Sequence, residues 1–295
     1  MYKILQNSAI RRLLYKLLSK GHRNNSFKMA IINNDYISNE IQIHGWYEDH
    51  FLKLLKFILN SSELEKDKSM IIDVGANIGN HSMFFSELVD SVIAIEPNPI
   101  CNNLIHASLM FNNISNISVI QKALSSHTGK ATLNFPASDL GSGSLLDSDS
   151  KGFENSFEVE TDTLDNILAL KITKDEHIKL IKIDVEGHEL EILKGAKTIL
   201  NEHSPIIAFE AHGLINYVKL TNELKKLGYL SFYKLTQSRR LYKNHFLNTL
   251  NMLFRPSMLS IKKITNPKDE NYQMVLAFKK KNIDKLDALD GYFKA

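Results

Sequence analysis

From residue 69 onward the chain alternates short Ile- and Val-rich runs with helical stretches, and this alternation leaves few folds open. The apolar runs occupy 70–74, 92–95, 117–120, 180–185, 206–209, 230–235 and 274–278, and helical periodicity fills about 79–89, 99–112, 188–201 and 214–227. Runs that are apolar throughout, without polar alternation, belong to strands covered on both faces. Separated by helices, they predict an α/β fold: a mostly parallel sheet with helices on both sides. Such sheets bind ligands beyond the carboxyl ends of their strands, so the polar residues that end each run carry the functional argument. Two stretches break the alternation. Residues 125–165 read as a hairpin with a Gly141-Ser142-Gly143-Ser144 tip, and 236–272 as an inserted basic segment bearing Leu241, Phe246, Leu250, Met252, Leu253 and Phe254. Residues 1–68 are expected to form a basic N-terminal helix and cap region, and 69–295 the main domain.

The first run, Ile71-Ile72-Asp73-Val74, leads into Gly75-Ala76-Asn77-Ile78-Gly79-Asn80 and then a helix. Gly75 and Gly79 permit a tight turn and a close approach of ligand to backbone. Alone, such a loop is a weak nucleotide signal. Asp73 narrows it: a carboxylate beside the loop would repel a dinucleotide pyrophosphate, which a helix N-terminus otherwise attracts. It suits instead an ammonium group, such as that on the methionine part of S-adenosylmethionine. Glu96 ends the second run, 21 residues after Gly75, where an acid can accept from both ribose hydroxyls. Pro97 stops that strand. The third, Gln121-Lys122-Ala123-Leu124, is where an adenine would lie, held by backbone and apolar contacts around Ala123. A nicotinamide dinucleotide, or a structural turn flanked by solvated acids, stays open as an alternative.

The fourth run delivers the most chemistry: Lys182-Ile183-Asp184-Val185-Glu186-Gly187-His188-Glu189. Strand alternation puts Asp184 and Glu186 on the same side, and a turn at Gly187 exposes His188. Glu210 and His212, ending the fifth run, are expected to converge on the same rim. A sugar hydroxyl is a poor nucleophile at neutral pH, and an imidazole with an unperturbed pKa of about 6.5 is the natural base for it. His188 is therefore the catalytic candidate, with Asp184, Glu186 and Glu210 beside it; a helix-start hydrogen bond is the other reading of His188. The acids could equally hold the cofactor's methionine end or a divalent cation.

Composition excludes other classes. The single cysteine, Cys101, rules out an internal disulfide framework and a Cys-based zinc cluster, and fits a reducing, cytoplasmic setting. No apolar run approaches the roughly 20 residues that span a bilayer. The net charge of +3 is an average of unlike parts. Residues 1–34 hold seven Lys/Arg and residues 224–268 hold ten, with no Asp or Glu in either, which leaves 19 basic against 33 acidic residues elsewhere. Ile4, Leu5, Ile10, Leu13, Leu14, Leu17 and Leu18 recur at helical spacing among the first charges, whose arginines break any signal-peptide core. Residues 1–34 and 236–268 are expected either to form a solvated basic face or to meet an anionic inner-membrane surface or a phosphate-bearing, lipid-linked sugar.

Together these residues resemble the FkbM-type branch of the class I S-adenosylmethionine-dependent methyltransferases. The resemblance begins at Gly45-Trp46-Tyr47-Glu48 and runs through Asp73–Gly79, Glu96-Pro97-Asn98, the Ser/Gly tip at 141–144, Thr163-Leu164-Asp165, the 182–189 motif and Leu193-Lys194-Gly195-Ala196. It covers about 40–235, plus a last strand at 273–279. It implies a seven-stranded Rossmann-like sheet whose last strand is antiparallel, and O-methylation of hydroxyls on sugars, glycosylated products or other small molecules. By that likeness Asp73, Gly75, Asn77, Gly79, Glu96 and Asn98 would surround the cofactor, while Asp184, Glu186 and His188 would border the acceptor.

Three rivals are weaker. Base-amine methyltransferases grip a flipped base with a Pro-Pro strand end; this chain has no Pro-Pro, and Cys101 follows isoleucine rather than the proline of a cytosine C5 enzyme. No nucleic-acid substrate is expected. A dinucleotide-dependent oxidoreductase is disfavoured by Asp73, and a non-catalytic module by the intact loop and acids.

Overall fold

The computed structural model describes residues 27–33, 35–61, 68–135, 143, 145, 155–169, 171–173, 175–238, 258–279 and 292–294. The apolar runs form the strands β1 (Ser69–Val74), β2 (Ser91–Ile95), β3 (Ile117–Ile120), β7 (His177–Ile183), β8 (Ile206–Ala211), β9 (Tyr229–Ser238) and β11 (Tyr272–Lys279). Between β3 and β7 come the short β4 (Ala123–Leu124), β5 (Gly129–Phe135) and β6 (Asn155–Asp162). The helices are α1 (Tyr36–His44), α2 (Asp49–Ser61), α3 (Asn80–Phe85), α4 (Pro99–Asn112), α5 (Leu164–Ala169), α6 (Glu189–Lys194), α7 (Lys197–His203) and α8 (Gly213–Lys226).

Among the described residues the main sheet has nine strands, where the family likeness implies seven. Its order is β12-β10-β9-β11-β8-β7-β1-β2-β3, with β10 spanning Met258–Lys263 and β12 Tyr292–Lys294. Pairing is parallel from β8 through β7, β1 and β2 to β3, and antiparallel where β11 inserts between β8 and β9. Of the two additional strands, β10 lies in the stretch read as an insertion and β12 beyond the last strand expected from the sequence. Met258 to Lys263 pair antiparallel with Ser238 back to Tyr233, so both flanks of the basic segment extend the sheet. Leu241, Phe246, Leu250, Met252, Leu253 and Phe254, together with residues 1–26, lie outside the described residues.

Strand alternation distributes the core to the two faces. Ile71, Val92, Ala94 and Leu180 point toward Leu52, Leu55, Phe85 and Ile105 of α2, α3 and α4. Ile72, Ile93 and Ile181 point the opposite way, toward Leu164, Leu193, Leu200 and Leu220 of α5 to α8. α2 thus shares its core with the sheet. Burying such side chains fully is worth about 1.5–3 kcal/mol each, and it fixes the strand ends that carry the polar residues.

One helix differs from the periodicity. The stretch read as a helix over 188–201 is two, α6 and α7, broken at Gly195-Ala196. A Cβ on Gly195 would lie 2.2 Å from the Ser125 carbonyl oxygen, so the break sits where the chain must pass close to another backbone. The expected hairpin over 125–165 is present: β5 and β6 pair antiparallel from Gly129↔Thr161 to Phe135↔Asn155, and β4 joins β6 to complete a three-stranded sheet.

Candidate active site

A cavity of about 260 Å³ opens at the carboxyl ends of β1, β2, β7 and β8. It brings together Gly75, Asn77, Glu96, Asn98, Ala123, Asp184, Glu186, His188 and Glu210. Nine of the eleven site residues expected from the sequence therefore line one space. Asp73 and Gly79 do not.

Asp73 is fully buried beneath the loop. Its Oδ2 accepts a hydrogen bond from Ser82 Oγ at 2.6 Å, and its Oδ1 lies 3.2 Å from Lys182 Nζ. The same ammonium stands 3.1 Å from Asp184 Oδ2. Asp73 is thus spent on an internal ion pair, and the carboxylate that faces the cavity at this end is Asp184. Lys182, enclosed in β7, is held charged: burial works against the ammonium, but Asp184 and Asp73 raise its pKa above the ordinary value. Burial pushes the Asp184 carboxyl up, and Lys182 and His81 more than offset it, leaving the pKa below the usual range.

Gly79 is a left-handed N-cap residue of α3, with φ +87°. Gly75, also left-handed at φ +73°, lines the cavity, yet its need for glycine comes from the protein itself. A Cβ there would sit 1.9 Å from the Asp184 carbonyl oxygen, so the first loop lies directly on the end of β7. The N–H groups of Gly75 and Ala76 both donate to the Ile95 carbonyl, at 3.0 and 3.2 Å, which ties the loop to β2 as well.

Glu96, 7 % exposed, faces the cavity with a fixed carboxylate. Its Oε2 accepts from the Asn77 N–H at 2.9 Å and its Oε1 from the Asn98 N–H at 2.8 Å. Each oxygen retains acceptor capacity, so the pair suits a vicinal diol. Burial raises the carboxyl to about 7, against the opposing effect of the two N–H donors. Asn98 caps α4, its Oδ1 accepting from the Ile100 N–H at 2.9 Å. Beyond Glu96 the wall becomes apolar, with Ala123, Leu124, Leu133 and, from the hairpin tip, Gly143 and Leu145.

At the other end, burial raises Glu210 to about 8, helped by the neighbouring charges of Asp184 and Glu186, and Glu210 and Asp184 share a hydrogen bond. His212 Nε2 lies 3.6 Å from Glu186 and 3.7 Å from Glu210, as the expected convergence requires. His188, half-buried at the start of α6, places Nε2 3.1 Å from Ser125 Oγ. Burial lowers its pKa, partly opposed by Glu191, so the ring is neutral at physiological pH. Among the described residues no group of three His, Cys, Asp or Glu side chains is placed to hold a metal ion.

Sequence reasoning left three contributors without a role. Lys182 was legible as the one charge in the apolar run Leu180-Ile181-Lys182-Ile183. Tyr47, which lines the cavity, is clamped by Asn80: its N–H donates to Asn80 Oδ1 and its carbonyl accepts from Nδ2, each at 3.0 Å. Ser125, the partner of His188, had no signal.

Residues 73–231, more than half of the chain, match the family model for the methyltransferase FkbM domain. The chain belongs to the FkbM methyltransferase family. Among curated relatives, methyltransferase sdnD of Sordaria araneosa is 29 % identical over 153 residues, 42 % of this chain and 59 % of that protein. The chain thus spans about three fifths of the length of that relative. Hexuronic acid methyltransferase AglP of Haloferax volcanii is 28 % identical over 179 residues, 56 % of this chain and 69 % of that protein. The crystal structure of methyltransferase FkbM from Methylobacillus flagellatus aligns with TM-score 0.44 and 17 % identity, covering 93 % of this chain and 60 % of that one. The family motifs at 73–79, 96–98 and 182–189 are the segments that build the cavity. Among the described residues no helix is long and apolar enough to cross a membrane.

Proposed function

We propose that the chain is an S-adenosylmethionine-dependent O-methyltransferase whose acceptor is a hydroxyl of a sugar or glycosylated molecule. The observation that carries this reading is a single cavity joining the anchored Glu96 carboxylate to Asp184, Glu210 and His188. Glu96 would accept from the ribose hydroxyls, the apolar wall around Ala123 and Leu124 would hold adenine, and Asp184 would face the cationic methionine end. When bound, S-adenosylmethionine supplies an electrophilic methyl group on a positively charged sulfur. Methyl transfer to the acceptor oxygen would release S-adenosylhomocysteine, and much of the acceleration would come from how the cavity residues position that hydroxyl. His188, neutral and facing the cavity, takes the hydroxyl proton. The sugar acceptor is supported by the relative named for hexuronic acid methylation; another small-molecule hydroxyl is the alternative.

Calorimetry with S-adenosylmethionine and with NAD tests the cofactor. S-adenosylmethionine is expected to bind and NAD not to; the reverse would sink the reading and favour a dinucleotide oxidoreductase. Glu96→Ala removes a charged acceptor worth about 1.5–3 kcal/mol, so affinity is expected to fall roughly 10- to 150-fold. We further propose a cytoplasmic protein whose basic segments, 1–34 and 236–268, touch an anionic membrane surface. Co-sedimentation with phosphatidylserine vesicles but not with neutral ones is the expected result, and equal binding to both would defeat it.

A further inference from the structure

Among the described residues the end of the cavity at Glu210 is acidic, and Lys182, His81 and His212 there are each paired with an acid. Asp184, Glu186 and Glu210 line it. Glu48 adds a fourth acid just behind the wall, 3.2 Å from His81 Nε2. Lys182 is enclosed, 1 % exposed, between Asp73 and Asp184. His212 sits between Glu186 and Glu210. Lys122, the other lysine on the cavity wall, lies on the β4 side, 2.9 Å from Asp162 and 3.6 Å from Glu160.

An acceptor bearing a carboxylate or phosphate beside its reacting hydroxyl would bring like charge against Asp184 and Glu186, and each engaged cation would have to leave a partner to receive it. A protonated amine meets the opposite situation. Resting on the methyl-transfer reading above, we propose that the acceptor is an amine-bearing sugar, its ammonium received by the carboxylates of Glu186, Asp184 and Glu210. The acceptor class then differs from the uronic acid named for the Haloferax relative. Glu186 is the entry point, with its side chain 47 % exposed. Glu210 stands deeper and retains its proton at neutral pH; a cation beside it favours release of that proton, so binding is accompanied by proton loss to buffer.

The test uses the full chain saturated with S-adenosylhomocysteine, titrated at pH 7 with three probes: a methyl glucoside, the corresponding methyl 2-amino-2-deoxyglucoside and the methyl glucuronide. The aminoglycoside is expected to bind about three- to fivefold tighter than the neutral glycoside, with the glucuronide weakest. Glu186→Gln should remove most of that preference, and an unchanged melting temperature would confirm that the variant is folded. A glucuronide that binds as well as the aminoglycoside, or a wild type with no preference or no binding among the three, overturns the proposal. Failure to bind S-adenosylhomocysteine, seen before any sugar is added, overturns the underlying reading and this one with it.

Discussion

Replacing Lys182 with methionine is expected to cost about 3–5 kcal/mol of folding stability, the range seen when one partner of a buried ion pair is removed. Methionine fills a similar volume, so the loss isolates the charge. Asp73 would remain fully buried with only Ser82 Oγ donating to it, and Asp184 would lose the ammonium that holds its pKa down. The pH dependence has a definite sign. Asp184 titrates below its ordinary value in the native protein, so its contribution is present at neutral pH and is lost as acid protonates it. The variant lacks that contribution, and the gap between the two proteins should therefore narrow toward acidic pH. Urea denaturation at pH 8 and at pH 3, the second below the ordinary aspartate value of about 3.9, measures both effects. A loss under 1 kcal/mol at pH 8 would show that the three charged groups are not acting as one desolvated unit.

His188→Ala is expected to lower turnover by about 10²- to 10⁴-fold while leaving S-adenosylmethionine affinity within a few-fold of wild type. The ring lines the cavity beside Ser125, and its pKa is lowered chiefly by burial. The rate of the native protein should therefore rise with pH through a value below about 6.5, as the imidazole loses its proton. The variant should lack that limb. Steady-state kinetics with a methylated product read by mass spectrometry would decide it. Unchanged turnover would move the base to the Asp184–Glu210 pair.

Ser125 has a part in this result. Its hydroxyl stands 3.1 Å from His188 Nε2, and it follows β4, whereas His188 precedes α6. The close passage of Gly195 over the Ser125 carbonyl presses these two segments together. Periodicity read 188–201 as one helix because nothing local in the sequence records that approach. α4, by contrast, matches the periodic stretch 99–112, since Asn98, Pro99 and Asn113 supply its cap, its first turn and its left-handed end within the sequence itself. The additional strand β10 was hidden for the opposite reason: its basic residues read as a surface segment, while its pairing to β9 is set from outside.

The sequence by itself determined the α/β class, the alternating inward faces of the strands and seven of the polar residues that line the cavity, Asn77, Glu96, Asn98, Asp184, Glu186, His188 and Glu210. These follow from local rules: apolar runs become buried strands, and the first polar residue after each run stands at its carboxyl end. Only the tertiary structure decided what each carboxylate does. Asp73 and Lys182 are 109 positions apart in the chain and register partners across the parallel β1–β7 pair. That pairing turns the acid expected to meet a ligand into the counter-ion of a buried lysine, and passes its place at the cavity to Asp184. A charge acquires its role from its nearest opposite charge, and in a parallel sheet that neighbour is chosen by strand order.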